Sequence, residues 1–166
     1  MKEIFNRRSV RKYSNLPIEA EKMDKIIRAA TQAPSAGNQQ PWEFLVVQER
    51  ELLEQLSLLS TYAGPIKESA AAIVLFGNGE HMLFPENWQM DLSAAAENIL
   101  LEAVHFELGA VWLGVAPQKD RVEYITKLFD LPQNIWPFGV IAMGYPETEN
   151  KFVDRYDKSK VHFNKF

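Results

Sequence analysis

A helix pattern over residues 91–108 constrains the fold most strongly, because its apolar side chains point in nearly every direction. Asp91 is its predicted N-cap and Gly109 its stop. Its apolar positions include Leu92, Ala94, Ala95, Ile99, Leu101 and Val104. A helix of this kind must be covered on all sides. It lies either at the centre of one subunit or at an interface between two copies, and we expect a homodimer because a 166-residue chain has few other elements to cover it.

Strand and helix patterns alternate along the rest of the chain. Helices are predicted at 18–33, 49–60 and about 120–129, and strands at 42–48, 72–77, 111–115 and 139–144. This order predicts an α+β or α/β protein in which helices cover a sheet on both sides. We expect residues 1–166 to form one domain. The tail 146–166 carries apolar residues every few positions, and it either wraps a partner subunit or frays.

Composition excludes several kinds of site. The sequence has no Cys, so thiolate nucleophiles, disulfides and Cys-ligated metals are absent, and its three His residues lie far apart. We therefore expect no metal. The N-terminus does not resemble a signal peptide, and no apolar run reaches the ~18 residues of a membrane span. These features predict a cytoplasmic protein that does not contact the membrane.

Positive charge is concentrated at the N-terminus. The first twelve residues hold five basic residues and one acidic residue, whereas the whole chain carries a net charge of −4. An acidic body argues against nucleic-acid binding. Arg7, Arg8, Ser9 and Arg11 offer guanidinium forks and a hydroxyl that suit a phosphate group, although a solvated basic surface would give the same pattern.

A second polar segment, residues 33–42, reads Ala-Pro-Ser-Ala-Gly-Asn-Gln-Gln-Pro-Trp. Its small residues allow a planar ligand to approach the backbone. Asn38 and Gln40 present amide groups suited to the edge of a heterocycle. A plain loop between helix and strand is the alternative.

Together these segments resemble the nitroreductase family of FMN-dependent oxidoreductases. The resemblance continues through Asp91-x-x-Ala94-Ala95-x-x-Asn98, through Leu108 to Gly114, and through Gly144-Tyr145-Pro146 to Arg155. It implies a mixed central sheet flanked by helices and an intertwined homodimer with two FMN sites at the interface, one for each subunit. Many members have Gly at the position of Glu107 and often at that of Val115.

The resemblance also implies roles for individual residues. Arg7, Arg8, Ser9 and Arg11 would hold the phosphate, the ribityl chain and the N1/O2 edge of FMN. The loop residues Pro34, Ser35, Ala36, Asn38 and Gln40 would reach the FMN of the other subunit. The strand residues Trp112, Leu113, Gly114 and Val115 would pack against the isoalloxazine and offer backbone groups near N5. Arg155 would return to the phosphate.

The implied activity is hydride transfer from NAD(P)H through flavin N5 to a nitroaromatic, quinone or similar acceptor by a ping-pong scheme. No side chain is needed as an acid or base, so no catalytic residue is assigned. The alternatives are an FMN carrier or sensor without turnover and a flavin-free interaction dimer. Phe84 and Trp88, in a connection predicted at 78–90, either line the acceptor pocket or pack on their own subunit.

Overall fold

A four-stranded antiparallel sheet forms the centre of the computed structural model, which describes residues 2–148 and 152–166. The strands are β1 (Trp42–Val47), β2 (Ala71–Asn78), β3 (Gly109–Gly114) and β4 (Ile135–Gly144), in the spatial order β1-β2-β4-β3. All eight residues of β2 are buried, as expected for a continuous apolar run at the centre of a sheet covered on both faces.

Helices cover both faces of the sheet and make three layers. They are α1 (Lys2–Asn6), α2 (Ala20–Ala30), α3 (Arg50–Leu56), α4 (Pro65–Glu68), α5 (Trp88–His105) and α6 (Lys119–Leu128). One core packs α2 and α5 against one face, and a second core packs α3, α4 and α6 against the other. The predicted α+β class with helices on both sides of a sheet is confirmed.

The sheet differs from the expected mixed type, because β1, β2, β3 and β4 pair only in antiparallel fashion. A parallel contact beside it is the isolated bridge between Ser9 and Ala110. In β4 the register shifts where Pro137 opposes Phe76, which leaves Phe138 as an extra residue. Proline has no N–H to donate to the ladder, so a bulge at this point is physically expected.

Helix α5 begins at Trp88, three residues before its predicted start, so Asp91 is not its N-cap but lies in its first turn. The predicted 78–90 connection is correspondingly shorter and contains two short 3₁₀ turns, Gly79–His81 and Pro85–Asn87. One broad face of α5 is buried in the core, whereas Ala94, Leu101 and Val104 are only half-buried. A single chain therefore leaves part of this apolar helix uncovered.

The backbone enters the left-handed region just after α5. Glu107 has φ 60°, a conformation that favours glycine. Glycine, which the resemblance leads us to expect at this position, would adopt this conformation without strain.

A polar cluster ties the end of β4 to the start of α2. The Tyr145 hydroxyl donates to both carboxylate oxygens of Glu19, at 2.9 and 2.7 Å, and Lys22 Nζ lies 3.1 Å from Glu19 Oε1. The hydrogen bond from Tyr145, with smaller contributions from the backbone and Lys22, lowers the pKa of Glu19 to about 2.

Among the described residues, no helix has the length and apolar character needed to cross a membrane.

Candidate functional site

The basic N-terminal segment lies along the outer edge of β3. Val10 N donates to Ala110 O at 3.0 Å beside the Ser9–Ala110 bridge. The approach is close, since a Cβ on Gly109 would lie 2.6 Å from Val10 Cγ1. The Tyr13 hydroxyl anchors the segment by donating to Val10 O at 2.6 Å, and burial raises the pKa of this hydroxyl.

The arginines of this segment have hydrogen-bonding capacity that the chain itself does not use. Arg7 Nε lies 3.5 Å from Glu97 Oε1 on α5. Arg8 Nη1 donates to two backbone carbonyls, whereas its Nε and Nη2 are buried without a partner among the described residues. Arg11 Nη1 donates to Ser9 O at 3.2 Å. Buried unpaired donors cost free energy, so this cluster suits an anionic ligand.

The edge of β3 beyond the basic segment presents backbone groups to a ligand. Since backbone groups alternate between the two edges of a strand, those of Trp112 and Gly114 face the same outer edge as Ala110 O. Gly114 is exposed, and a Cβ there would meet nothing within 4 Å. Arg121 Nη1 on α6 donates to Gly114 O at 2.8 Å. The edge therefore has room for a planar group.

The side chains of Leu113 in β3 and of Val115 just after it are buried in the core that contains α6. Val115 N donates to Phe138 O at 3.1 Å, so this backbone donor is already used within the chain. The burial of Leu113 follows from strand alternation, which turns every second side chain towards the opposite face. A contact of these two residues with a flavin stays a prediction. Trp112, on the other face, is half-buried against Phe138 with ring centroids 5.4 Å apart.

The predicted flavin loop is a tight turn held in an unusual backbone conformation. Gly37, Asn38 and Gln40 have φ values of 55°, 57° and 47°. Ser35 Oγ accepts a hydrogen bond from Gln40 N at 3.0 Å. Pro34, Asn38 and Gln40 are exposed, whereas Ser35 and Ala36 are half-buried. The loop thus presents the Asn38 amide at the surface.

The loop and the basic segment do not meet within one chain. No hydrogen bond or ion pair joins them among residues 2–148 and 152–166. Each is attached to α5, the loop through Asp91 and the basic segment through Glu97. Six residues of an α-helix turn two side chains about 120° apart. The two halves of the predicted site therefore lie on different faces of one helix.

The aromatic residues of the connection before α5 pack on their own chain. Trp88 contacts Trp136 and Phe138 edge-on, with ring centroids 5.6 and 6.0 Å apart. The Phe84 ring covers Gly37. Trp88 and Trp136 also line an apolar cleft of about 530 Å³ beside the loop that follows β3. This arrangement agrees with packing on the same subunit and leaves one side of Trp88 facing the cleft.

Apart from half-buried Pro146, the described part of the tail is exposed, and residues 149–151 of the predicted 146–166 segment lie outside the described residues. Phe152 packs edge-on against Phe5 with ring centroids 5.9 Å apart, which brings the tail near the basic segment. Arg155 is exposed, and no polar contact joins it to Arg7 or Arg11 among the described residues. A role at the phosphate stays a prediction.

Comparisons with known proteins agree with this geometry. The profile described as the nitroreductase family matches residues 4–78 and 65–145. The chain belongs to the nitroreductase family. It shares 52% identity and a TM-score of 0.97 with a crystal structure from Clostridium acetobutylicum provisionally named NADH oxidase, over 99% of each chain.

Two further nitroreductase relatives cover the whole chain. A protein of Archaeoglobus fulgidus, provisionally named NADH dehydrogenase/NAD(P)H nitroreductase, is 41% identical over 170 residues, which span 100% of this chain and 98% of that one. A structure described as an FMN-dependent nitroreductase from Clostridium difficile is 34% identical, with a TM-score of 0.92 and complete coverage of both chains.

Sequence reasoning missed Gln39 and gave Asp91 a different role, as a helix N-cap, whereas the two together hold the loop of this nitroreductase. Asp91 and Gln39 are 4% and 8% exposed, and Gln39 Nε2 donates to Asp91 Oδ2 at 2.6 Å. Gln39 lies between the motif residues Asn38 and Gln40, and neither its residue type nor its position predicted that it holds the loop. Only a contact across 52 positions reveals its role.

Proposed function

We propose that this protein is an FMN-dependent oxidoreductase that takes hydride from NAD(P)H and delivers it to a nitroaromatic, quinone or similar acceptor by a ping-pong scheme. One observation carries the proposal. A cluster of arginines with unused donors is held at the outer edge of β3 beside Ala110, and Gly114 is exposed farther along the same strand. This arrangement would suit a ligand that has both a phosphate and a planar group, and membership of the nitroreductase family supports FMN as that ligand.

The residues divide between the two parts of the ligand. Arg7, Arg8 and Ser9 would hold the phosphate and ribityl chain, because their guanidinium and hydroxyl groups donate hydrogen bonds to anions. Arg11 would place positive charge near the N1/O2 edge of the ring and stabilise negative charge there. When bound, FMN supplies the hydride acceptor at N5. The backbone of Trp112 and Gly114 would orient that part of the ring, and no side chain need act as acid or base.

We propose further that the protein is a homodimer in which each flavin lies between two chains. The loop and the basic segment lie on different faces of α5, so one chain does not enclose a ligand with both. Exposed apolar side chains near this surface support a partner, among them Ile4, Phe5 and Met90 at 49%, 60% and 63% exposure. Pro34, Ser35, Ala36, Asn38 and Gln40 would then serve the partner's flavin, and Arg155 would approach the phosphate.

The experiment is reconstitution with FMN followed by anaerobic titration with NADH and NADPH. We expect about one flavin per subunit, bleaching of its visible absorbance by a nicotinamide, and recovery of colour when an acceptor is added. Steady-state rates over a panel of nitroaromatics, quinones and free flavins would then rank the acceptors. Bound flavin that no nicotinamide bleaches would identify an FMN carrier or sensor, and absence of flavin binding would overturn the proposal.

A further inference from the structure

We propose that Gln39 and Asp91, called here the anchor pair, are positioning residues that set the flavin-facing loop without touching the flavin. This inference rests on the proposed function, because residues 34–40 are assigned there to the partner's FMN. Neither residue belongs to the motif by which the family resemblance assigns ligand contacts in this loop. Their burial of more than nine-tenths separates them from the exposed ligand-facing residues.

The Asp91 carboxylate holds the loop at two points. Its Oδ1 accepts a hydrogen bond from Ala36 N at 2.9 Å, and its Oδ2 accepts one from Gln39 Nε2 at 2.6 Å. Hydrogen bonds to a buried carboxylate are stronger than bonds between neutral groups. Because Asp91 lies in the first turn of α5, a long and largely buried helix, the loop inherits a fixed position relative to that helix.

Gln39 connects the loop to a third segment. Its Oε1 accepts a hydrogen bond from Phe84 N at 2.8 Å, and its Nε2 also donates to Phe84 O at 3.2 Å. The Phe84 ring then covers Gly37 so closely that a Cβ there would lie 2.5 Å from the ring. The segment around Phe84 thus packs against the loop and supports it, while Asn38 stays exposed.

The backbone of the loop requires such support. Asn38 and Gln40 both occupy the left-handed region, which costs a residue other than glycine free energy and persists only where surrounding contacts hold it. The hydrogen bond from Gln40 N to Ser35 Oγ is internal to the loop, so it does not fix the loop to the rest of the protein. The anchor pair supplies that attachment.

The donor and acceptor roles within the anchor pair can be exchanged by substitution, which gives a direct test. Asp91→Asn turns an amide donor towards the donating amide of Gln39, and Gln39→Glu places two carboxylates against each other. The double variant restores a donor opposite an acceptor, because the new amide at position 91 donates to the new carboxylate at position 39. That carboxylate can still accept from Phe84 N. Only the weaker bond to Phe84 O is lost.

The experiment measures dissociation constants for FMN and for riboflavin in the full-length protein, well below its melting temperature. Because the loop faces the ring and not the phosphate, each single variant should bind both flavins about tenfold more weakly, or worse, while the double variant recovers most of the affinity. A tenfold loss corresponds to about 1.4 kcal/mol. Hydrogen exchange at Ala36 and Phe84 amides in flavin-free protein should rise in the single variants and fall again in the double variant.

Tyr124→Phe is the matched control. It removes a side-chain hydrogen bond to Gln55 O at 2.7 Å beneath the other face of the sheet. This change should reduce thermal stability and leave flavin affinity unchanged. Single anchor variants that bind flavin like the wild type, or a double variant no better than the single ones, would overturn the inference. Failure of the wild-type protein to bind flavin would instead overturn the proposed function.

Discussion

Arg7 combines a partly buried guanidinium with one long ion pair, to Glu97, among the described residues, so most of its donors lack a partner there and suit a ligand. Charge-assisted contacts to a phosphate contribute about 1.5–3 kcal/mol each. Arg7→Ala should therefore weaken FMN binding about tenfold or more and leave riboflavin binding nearly unchanged. Fluorescence titration with both flavins measures the difference.

Arg28 provides the control for that substitution. It is an exposed arginine on α2 whose Nε lies 2.6 Å from Asp24 Oδ2. Arg28→Ala should leave the affinity for both flavins unchanged. Equal losses of FMN and riboflavin affinity in Arg7→Ala would show that Arg7 acts on the fold or on the ring instead of on the phosphate.

Glu19 predicts a defined acid dependence of stability. Its pKa falls from about 4.5 to about 2 on folding, so its contribution to stability is present above pH 4.5 and is lost as the pH drops towards 2. Glu19→Gln should remove this part of the pH dependence. Tyr145→Phe should remove most of it, since the hydrogen bond from Tyr145 is the largest cause of the shift. Urea unfolding at several pH values between 2 and 6 measures the free energy of unfolding as a function of pH. If the free energy of Glu19→Gln changes with pH as that of the wild type does, the prediction is contradicted.

At the scale of elements, the end of α5 carries an avoidable strain. Left-handed backbone costs a side-chain-bearing residue about 1–2 kcal/mol relative to the right-handed region, and glycine avoids most of this cost. Glu107→Gly should therefore raise the free energy of unfolding by up to about 1 kcal/mol. Glu123→Gly within α6 should lower it by about 1 kcal/mol, because glycine weakens a regular helix. Denaturant unfolding of both variants measures these changes. A Glu107→Gly variant that is less stable than the wild type would refute the prediction of strain.

The first residue of α5 makes a second prediction at this scale. Trp88 packs on Trp136 and Phe138, so Trp88→Ala should lower the free energy of unfolding by about 2 kcal/mol or more. Trp88→Phe should retain most of the stability. Kinetics with two acceptors of different size separate packing from recognition. Unchanged stability with an altered acceptor preference would show that Trp88 acts in the acceptor pocket instead.

The periodic patterns predicted most elements because burial follows them directly. The run before Gly77 predicts β2, and the apolar spacing between Met23 and Ala30 predicts α2. Patterns did not predict where β4 begins, since Pro137 argues against a strand and the bulge accommodates it. Within the site, motif residues were identifiable by type. The contact between Gln39 and Asp91 was not, because a buried contact between distant residues leaves no local periodicity.

At the scale of the whole molecule, the divided site predicts complementation. Arg7→Glu chains and Asn38→Asp chains should each bind FMN poorly. Unfolding and refolding them together should produce mixed dimers in which one site has both intact halves. Flavin content per chain after gel filtration measures the recovery. A mixture that recovers no FMN, or a monomer that binds FMN normally, contradicts shared sites. Each variant unfolded and refolded alone controls for restoration by refolding itself.

In the proposed dimer, the attachment of the loop and the basic segment to different faces of α5 also bears on inheritance. A chain altered only at Arg7 would spoil one site of any dimer it joins, so intact sites would fall in proportion to its abundance. A chain altered at both Arg7 and Asn38 would spoil both sites of a dimer with a normal partner. Under random pairing, intact sites would then follow the square of the normal fraction. In a cell expressing both alleles, the doubly altered allele would behave as a dominant negative, although each normal chain remains correctly folded.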